Sequence, residues 1–286
     1  MARKTINDIM DLKKSGVLIS MVTAYDYYSA KIVDRAGVDI ILVGDSLGMV
    51  IQGKEDTLSV SLDDMVYHTS MVKHGSKKSL IIADLPFMSY QINVEEAVRN
   101  AGLLIKKAGA TAVKLEGGKN ILPQVKGIVN AGIPVMGHLG LTPQSIHQLG
   151  GYRVQAKDKK AGLQLLDDAL QLQEAGVFSI VLETVPLELS KIVCEELEIP
   201  VIGIGAGPHC DGQVLVFHDL LGFDQDFNPK FVRKYTNLNQ IISEALENFV
   251  NDVKDNKFPA DKESYHLEQE VFEKIKGELK GKKGNE

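Results

Sequence analysis

At 286 residues, 44% of them apolar and 24% charged, the chain has room for one large α/β barrel or two ordinary domains and is too apolar to be disordered. A formal net charge of -6 leaves no electrostatic footprint for nucleic acid, and no apolar run approaches the length of a membrane span. The opening Met1-Ala2-Arg3-Lys4-Thr5-Ile6 lacks the apolar segment of a secretory leader. Two cysteines, Cys194 and Cys210, make neither a disulfide framework nor a zinc pair, so a reducing, cytoplasmic setting is expected.

Thr5 to Lys14 has helical spacing and predicts a short helix ahead of the main fold. Val17–Val22 reads as the first strand, and a helix over about Tyr28–Ala36 stops at Gly37. The second strand, Asp39–Val43, is a continuous apolar run that ends at Gly44 and delivers Asp45-Ser46 at once. Asp45 is therefore a site carboxylate or the cap of a turn. Ser61 and Asn93 each begin a helix with N-cap chemistry, and Thr142-Pro143 places proline at a first helical position. Lys160–Glu174 and Leu187–Glu196 continue the helical alternation.

Six more strands are predicted at Ser79–Ala83, Ala110–Leu115, Ile133–Gly137, Phe178–Leu182, Pro200–Ile204 and Val214–Phe217. A local signature supports them. Ala36-Gly37, Ala108-Gly109, Ala131-Gly132 and Ala175-Gly176 each close a helical pattern just before an apolar run, as a left-handed glycine C-cap requires. Repeated helix-to-strand transitions argue for a parallel sheet, and eight strands fit a (β/α)8 TIM barrel. The last link is the weakest, because Gly, Pro and His rather than a helical pattern join the seventh and eighth strands. Asn237–Lys254 and Lys262–Leu279 read as appended helices, and Lys280 to Lys283 as a solvated, mobile end. No linker marks a second domain. The expected organisation is one domain over 1–286, with an N-terminal helix (1–16), a barrel (17–228) and a helical extension (229–286).

In a barrel, the residues just past the strand ends share one face. Here they are Tyr25 and Asp26, Asp45-Ser46, Asp84, Lys114 with Glu116, His138, Glu183, a glycine-rich turn at Gly203-Ile204-Gly205-Ala206-Gly207, and His218-Asp219. Several carboxylates without a thiol pair suit a hard cation such as Mg²⁺. Asp45 and Asp84 are the natural ligand pair, and Glu116 binds directly or through a water. Ion pairing of these acids with Lys and Arg across the mouth is the alternative. Lys114 and Glu116 are two apart, so both face the same way. Lys114 is the candidate for a substrate carboxylate, and Glu183 for a general base. His138 is a donor to a polarised substrate oxygen or a satisfied core histidine. The glycine-rich turn is not a dinucleotide fingerprint. It holds phosphate or lets backbone approach a ligand. His209-Cys210-Asp211 is too compact for a metal site.

Longer stretches carry a resemblance. Thr23-Ala24-Tyr25-Asp26, Gly44 to Val50, Asp84 to Gln91, Val113 to Gly118, Gly137 to Gln144, Gly203 to Gly207 and Asp211 to Val216 are similar to ketopantoate hydroxymethyltransferases, over roughly Thr5 to Phe223. Ala156 departs from the pattern, which leads one to expect glycine there. The resemblance implies a (β/α)8 barrel in a decamer of two stacked pentamers. It implies hydroxymethyl transfer from 5,10-methylenetetrahydrofolate to 3-methyl-2-oxobutanoate through an Mg²⁺-stabilised enolate, giving 2-dehydropantoate in pantothenate biosynthesis. Carried over by position, Asp45, Asp84 and Glu116 form the Mg²⁺ site, Asp45, Ser46, Asp84 and Lys114 contact the oxo acid, and Glu183 accepts the proton. The partners expected are thus small molecules and further copies of the chain, with neither nucleic acid nor membrane. The alternative enzyme is a metal-dependent carbon–carbon lyase acting on 2-oxo acids, of the isocitrate lyase-like group. A catalytically silent scaffold is a third reading, against which the intact acids, Lys114 and Glu183 argue.

Overall fold

The structure is a computed structural model and describes residues 3–283, with side chains to 279. Thr5 caps α1 (Ile6–Lys14), and Asp8 bonds back to it in a capping box. Then follow β1 (Ile19–Thr23), α2 (Tyr27–Arg35), β2 (Ile40–Val43) and the single turn α3 (Leu47–Val50). Ser61 caps α4 (Leu62–Gly75), which leads to β3 (Leu80–Asp84), and Asn93 caps α5 (Val94–Leu103), which leads to β4 (Ala112–Glu116). After α6 (Leu122–Asn130) and β5 (Val135–Gly140), the predicted helix at Pro143 is only a 3₁₀ turn and the short α7 (Ile146–Leu149). Next come α8 (Lys159–Glu174), β6 (Ser179–Glu183), α9 (Leu187–Glu196), β7 (Val201–Ile204), β8 (Gly212–Leu215) and α10 (Phe217–Leu221).

The eight strands are all parallel and close in sequence order, with β8 pairing β1 from Ile19↔Gly212 to Val22↔Leu215. Gly37, Gly109, Gly132 and Gly176 all take left-handed φ between 79° and 94°, as the Ala-Gly signature requires. No helix separates β7 from β8.

Strand side chains alternate, and the two faces bury two cores. Ile41, Val43, Ile81, Ala83, Val113 and Leu115 pack outward against the helices. Met21, Ile40, Leu42, Leu80, Ile82, Ala112, Met136, Val181, Ile202 and Val214 fill the barrel interior. Ile9, fully buried, and the flanking Ile6 and Leu12 seat α1 on this interior cluster, stopping the end of the barrel where the strands begin.

Residues up to Thr236 form one compact unit and those from Asn237 a second. The second contains α11 (Leu238–Lys254), capped by Asn237, and α12 (Gln269–Lys283). The sequence places this last helix from Lys262, but only a 3₁₀ turn at Asp261–Glu263 forms there. Lys280 to Lys283 continue α12, and their side chains lie outside the described residues.

Candidate active site

The inward-facing positions change character along each strand. Leu80 and Ile82 are followed by Asp84, Ala112 by Lys114 and Glu116, Met136 by His138, and Val181 by Glu183. Period two thus carries the interior row from apolar to ionisable at the C-terminal mouth. Register then sets the neighbours, pairing Asp84 with Lys114 and Glu116 with His138. Asp45 arrives differently, on the turn after β2. A methyl group on Gly44 would come within 2.8 Å of Ser46 Oγ, so the glycine leaves room for that hydroxyl beside Asp45.

The resulting cluster is nearly dry, with Asp45, Asp84, Lys114, Glu116 and His138 between 2% and 5% exposed. Asp84 Oδ2 accepts from the Asp45 amide at 3.2 Å, and Asp84 Oδ1 lies 3.1 Å from Lys114 Nζ. Lys114 Nζ is also 3.8 Å from Glu116 Oε1. The ion pairing weighed from sequence is therefore present, but as part of the site. His138 bridges two acids, with Nδ1 3.2 Å from Glu116 Oε1 and Nε2 3.2 Å from Glu183 Oε2. Both ring nitrogens face carboxylates, but Nε2, buried beside Glu183, makes no hydrogen bond among the described residues. Ser46 Oγ is 2.8 Å from the buried Tyr25 hydroxyl.

Four carboxylates (Asp45, Asp84, Glu116, Glu183) face two basic groups, and the imbalance shows in their protonation. Burial and then the charges of Asp84 and Glu116 push the Asp45 carboxyl well above the usual range. Burial also raises Asp84, with Lys114 opposing. Glu116 is held low despite burial because His138 and Lys114 outweigh it. Burial and Lys114 oppose a charge on His138, but Glu116 and Glu183 prevail and raise it to about 9. Lys114 stays charged because the surrounding acids outweigh its burial.

Hard oxygen donors with surplus negative charge fit a divalent cation. Among the described residues no three His, Cys, Asp or Glu side chains form a ready-made cage. Two of these carboxylates could hold a hard divalent cation that keeps its remaining positions for substrate and water. Glu116 is already engaged on both oxygens, by His138 and by the Gln144 amide at 3.0 Å.

Gln144 and Tyr90 were not singled out from sequence. Gln144 Nε2 donates to Asp45 Oδ2 at 2.8 Å and to Leu85 O at 2.9 Å, and the Tyr90 hydroxyl lies 2.9 Å from Glu116 O. Their signal was membership of the motifs Gly137–Gln144 and Asp84–Gln91. One strand-end group lies elsewhere, as does Asp211, which stands just before β8. Asp26 caps α2, accepting from the amides of Tyr28 and Ser29. Asp211 takes Lys13 Nζ at 3.0 Å and the Val201 amide at 2.8 Å, away from the mouth. The glycine-rich turn admits side chains: Cys210 packs on Gly203, Phe231 on Gly205 and Leu187 on Gly207.

A closed parallel barrel whose mouth gathers buried carboxylates with a lysine and a histidine has the strand-end site of a (β/α)8 enzyme. The chain belongs to the ketopantoate hydroxymethyltransferase family, whose model matches residues 3–261. A 3-methyl-2-oxobutanoate hydroxymethyltransferase of Clostridium botulinum (strain Alaska E43 / Type E3) is 51% identical over 273 residues, 96% of this chain and 99% of the relative. One from Syntrophomonas wolfei subsp. wolfei is 52% identical over 275 residues, 96% of this chain and 100% of the relative. Among solved structures, a phosphonopyruvate hydrolase complexed with oxalate and Mg²⁺ superposes with a TM-score of 0.61 at 12% identity, covering 97% of this chain and 98% of that one. A 2,3-dimethylmalate lyase of the PEP mutase/isocitrate lyase superfamily gives 0.58 at 16% identity, covering 98% and 97%. These two share the fold.

Proposed function

We propose that the chain transfers a hydroxymethyl group from 5,10-methylenetetrahydrofolate to 3-methyl-2-oxobutanoate, giving 2-dehydropantoate, the first step of pantothenate biosynthesis. The observation that carries the mechanism is Glu183, a strand-end carboxylate 3.2 Å from His138 Nε2 in the cavity that Asp45 and Asp84 also line. Asp45 and Asp84 would hold Mg²⁺, with Glu116 acting through a water, and the bound ion would supply Lewis acidity to the keto oxygen. Lys114 and Ser46 hold the substrate carboxylate, which turns the C3 methine toward Glu183. Water adds to the donor's methylene carbon and both C–N bonds break, leaving formaldehyde and tetrahydrofolate. Glu183 takes the C3 proton, the electron pair left behind forms the C–C bond to the formaldehyde carbon, and the former carbonyl oxygen is protonated to give the hydroxyl. His138, with Nε2 unpartnered beside Glu183, is free to donate to the substrate's polarised oxygen.

Glu183→Gln tests this. The C3 proton of 3-methyl-2-oxobutanoate should cease exchanging with solvent deuterium, slowing at least ~100-fold, while Mg²⁺ binding stays within severalfold. Unchanged exchange would remove Glu183 from the role of base. A carbon–carbon lyase would instead cleave a hydroxy acid without any folate, so product analysis with and without methylenetetrahydrofolate separates the two.

The same reading includes a cytoplasmic setting and a decamer of two stacked pentamers. Among the described residues no helix is long and apolar enough to cross a membrane. Exposed apolar side chains on α11, among them Leu246 and Phe249, support assembly.

A further inference from the structure

The cavity at the barrel mouth is about 810 Å³, within the range of pockets that enclose drug-sized ligands. A branched five-carbon oxo acid fills a small part of it, and the groups that would hold that acid all come from β2 to β6. The opposite wall is built after β8 and carries none of those groups. It includes Val216, His218, Phe223, Phe227 and Phe231, with two carboxylates, Asp219 and Asp224, among them.

This wall is aromatic and firmly seated. The Phe217 amide donates to Thr23 Oγ1 at 3.0 Å, pinning the start of α10 to the end of β1. The His218 ring lies 4.7 Å from that of Phe223 and 5.7 Å from that of Tyr25, whose hydroxyl meets Ser46. Phe231 rests on Gly205, where φ is 65° and a side chain would come within 3.2 Å of the ring. The aromatic wall therefore begins where the oxo-acid site ends.

Asp219 does not belong in such a wall on packing grounds. Its carboxylate accepts no hydrogen bond from any side chain among the described residues. Burial and the charge of Asp224 disfavour its ionised form, and Lys234 only partly compensates while its own Nζ donates to Asp224 O at 2.7 Å. A carboxylate left short of donors beside flat aromatic rings is matched by a planar heterocycle with two parallel N–H groups on one edge. The fork geometry is the one that makes guanidinium–carboxylate pairs bidentate, and ring faces stack on aromatic walls.

We propose that Asp219 takes the 2-amino and N3–H edge of the donor's pterin ring, and that Phe223, Phe227 and Phe231 cover its faces. The inference rests on methylenetetrahydrofolate being the donor.

The test combines kinetics on the full-length protein with binding of tetrahydrofolate. Asp219→Asn keeps the shape and removes the charge, and its thermal transition reports whether the barrel is intact. The KM for methylenetetrahydrofolate and the Kd for tetrahydrofolate should both rise roughly tenfold or more, as for a lost charged hydrogen bond. The KM for the oxo acid should move far less. Tetrahydrofolate lacking its 2-amino group should bind the wild type and Asp219→Asn alike, a comparison that does not depend on the variant's stability. Donor constants within twofold of wild type would overturn the assignment, as would an equal rise in both substrates' KM values. A wild-type protein that neither binds tetrahydrofolate nor turns over with its methylene form would overturn the donor reading itself. That outcome is visible before any variant is made.

Discussion

Asp219 carries a stability consequence that can be read without any ligand. Burial first, and then Asp224, raise its pKa to about 6, against about 3.9 in an unfolded chain. The folded protein therefore holds this proton at higher pH than the unfolded one does. Stability rises as pH falls from about 6 to 4, and at pH 7.5 the ionised carboxylate is a net cost. Part of the group is open to water, so screening reduces that cost to ~1 kcal/mol. Asp219→Asn should accordingly stabilise the protein by about 1 kcal/mol at pH 7.5, with the gain gone near pH 4. Urea unfolding at the two pH values checks it, and a loss at pH 7.5 would mean that Lys234 makes Asp219 a structural partner. A group that destabilises its own fold is a common mark of a binding site.

At the scale of elements, the connection between α7 and α8 contains a local conflict. Ala156, where glycine is expected, has φ of 55°, in the left-handed region that disfavours a Cβ. Ala156→Gly should relieve it and raise stability by about 1 kcal/mol, seen as a higher urea midpoint with an unchanged slope. A lower midpoint would mean that the packing of the Ala156 methyl outweighs the strain. The strands were legible because buried parallel strands are continuous apolar runs. Their C-terminal ends were read short at Asp84, Glu116, His138 and Glu183, because there the interior row becomes ionisable while the backbone stays extended. β8 was placed two residues late for another reason. Gly212 looks like loop, yet a methyl there would run into the Ile19 carbonyl oxygen, so glycine is what lets β8 close against β1. Gln144 was hidden for a similar reason: Pro143 signals a helix start, whereas the chain makes a 3₁₀ turn that aims Gln144 at Asp45 and Glu116. The aromatic wall escaped notice because Phe223, Phe227 and Phe231 lie beyond the last strand, with no periodicity to tie them to the mouth.

At the scale of the whole molecule, α11 has no buried residue, and Ile242, Leu246, Phe249 and Val253 recur on it at helical spacing while exposed. Such a stripe needs a partner surface. Replacing Leu246 and Phe249 together with lysine should break the proposed decamer into smaller species in sedimentation velocity. An undisturbed decamer would place the contacts elsewhere. The other end of the chain bears on the order of events. Because Ile9 and its neighbours stop the barrel where the strands begin, reactants and products share one doorway. On the proposed assignment, Asp45, Asp84 and Lys114 hold the oxo acid deep in the barrel, whereas Phe227 of the aromatic wall is exposed. The small acid must enter before the folate, and the folate must depart before the new hydroxy acid can. Initial-velocity and product-inhibition patterns should therefore be those of ordered addition, and a random pattern would mean a second way in.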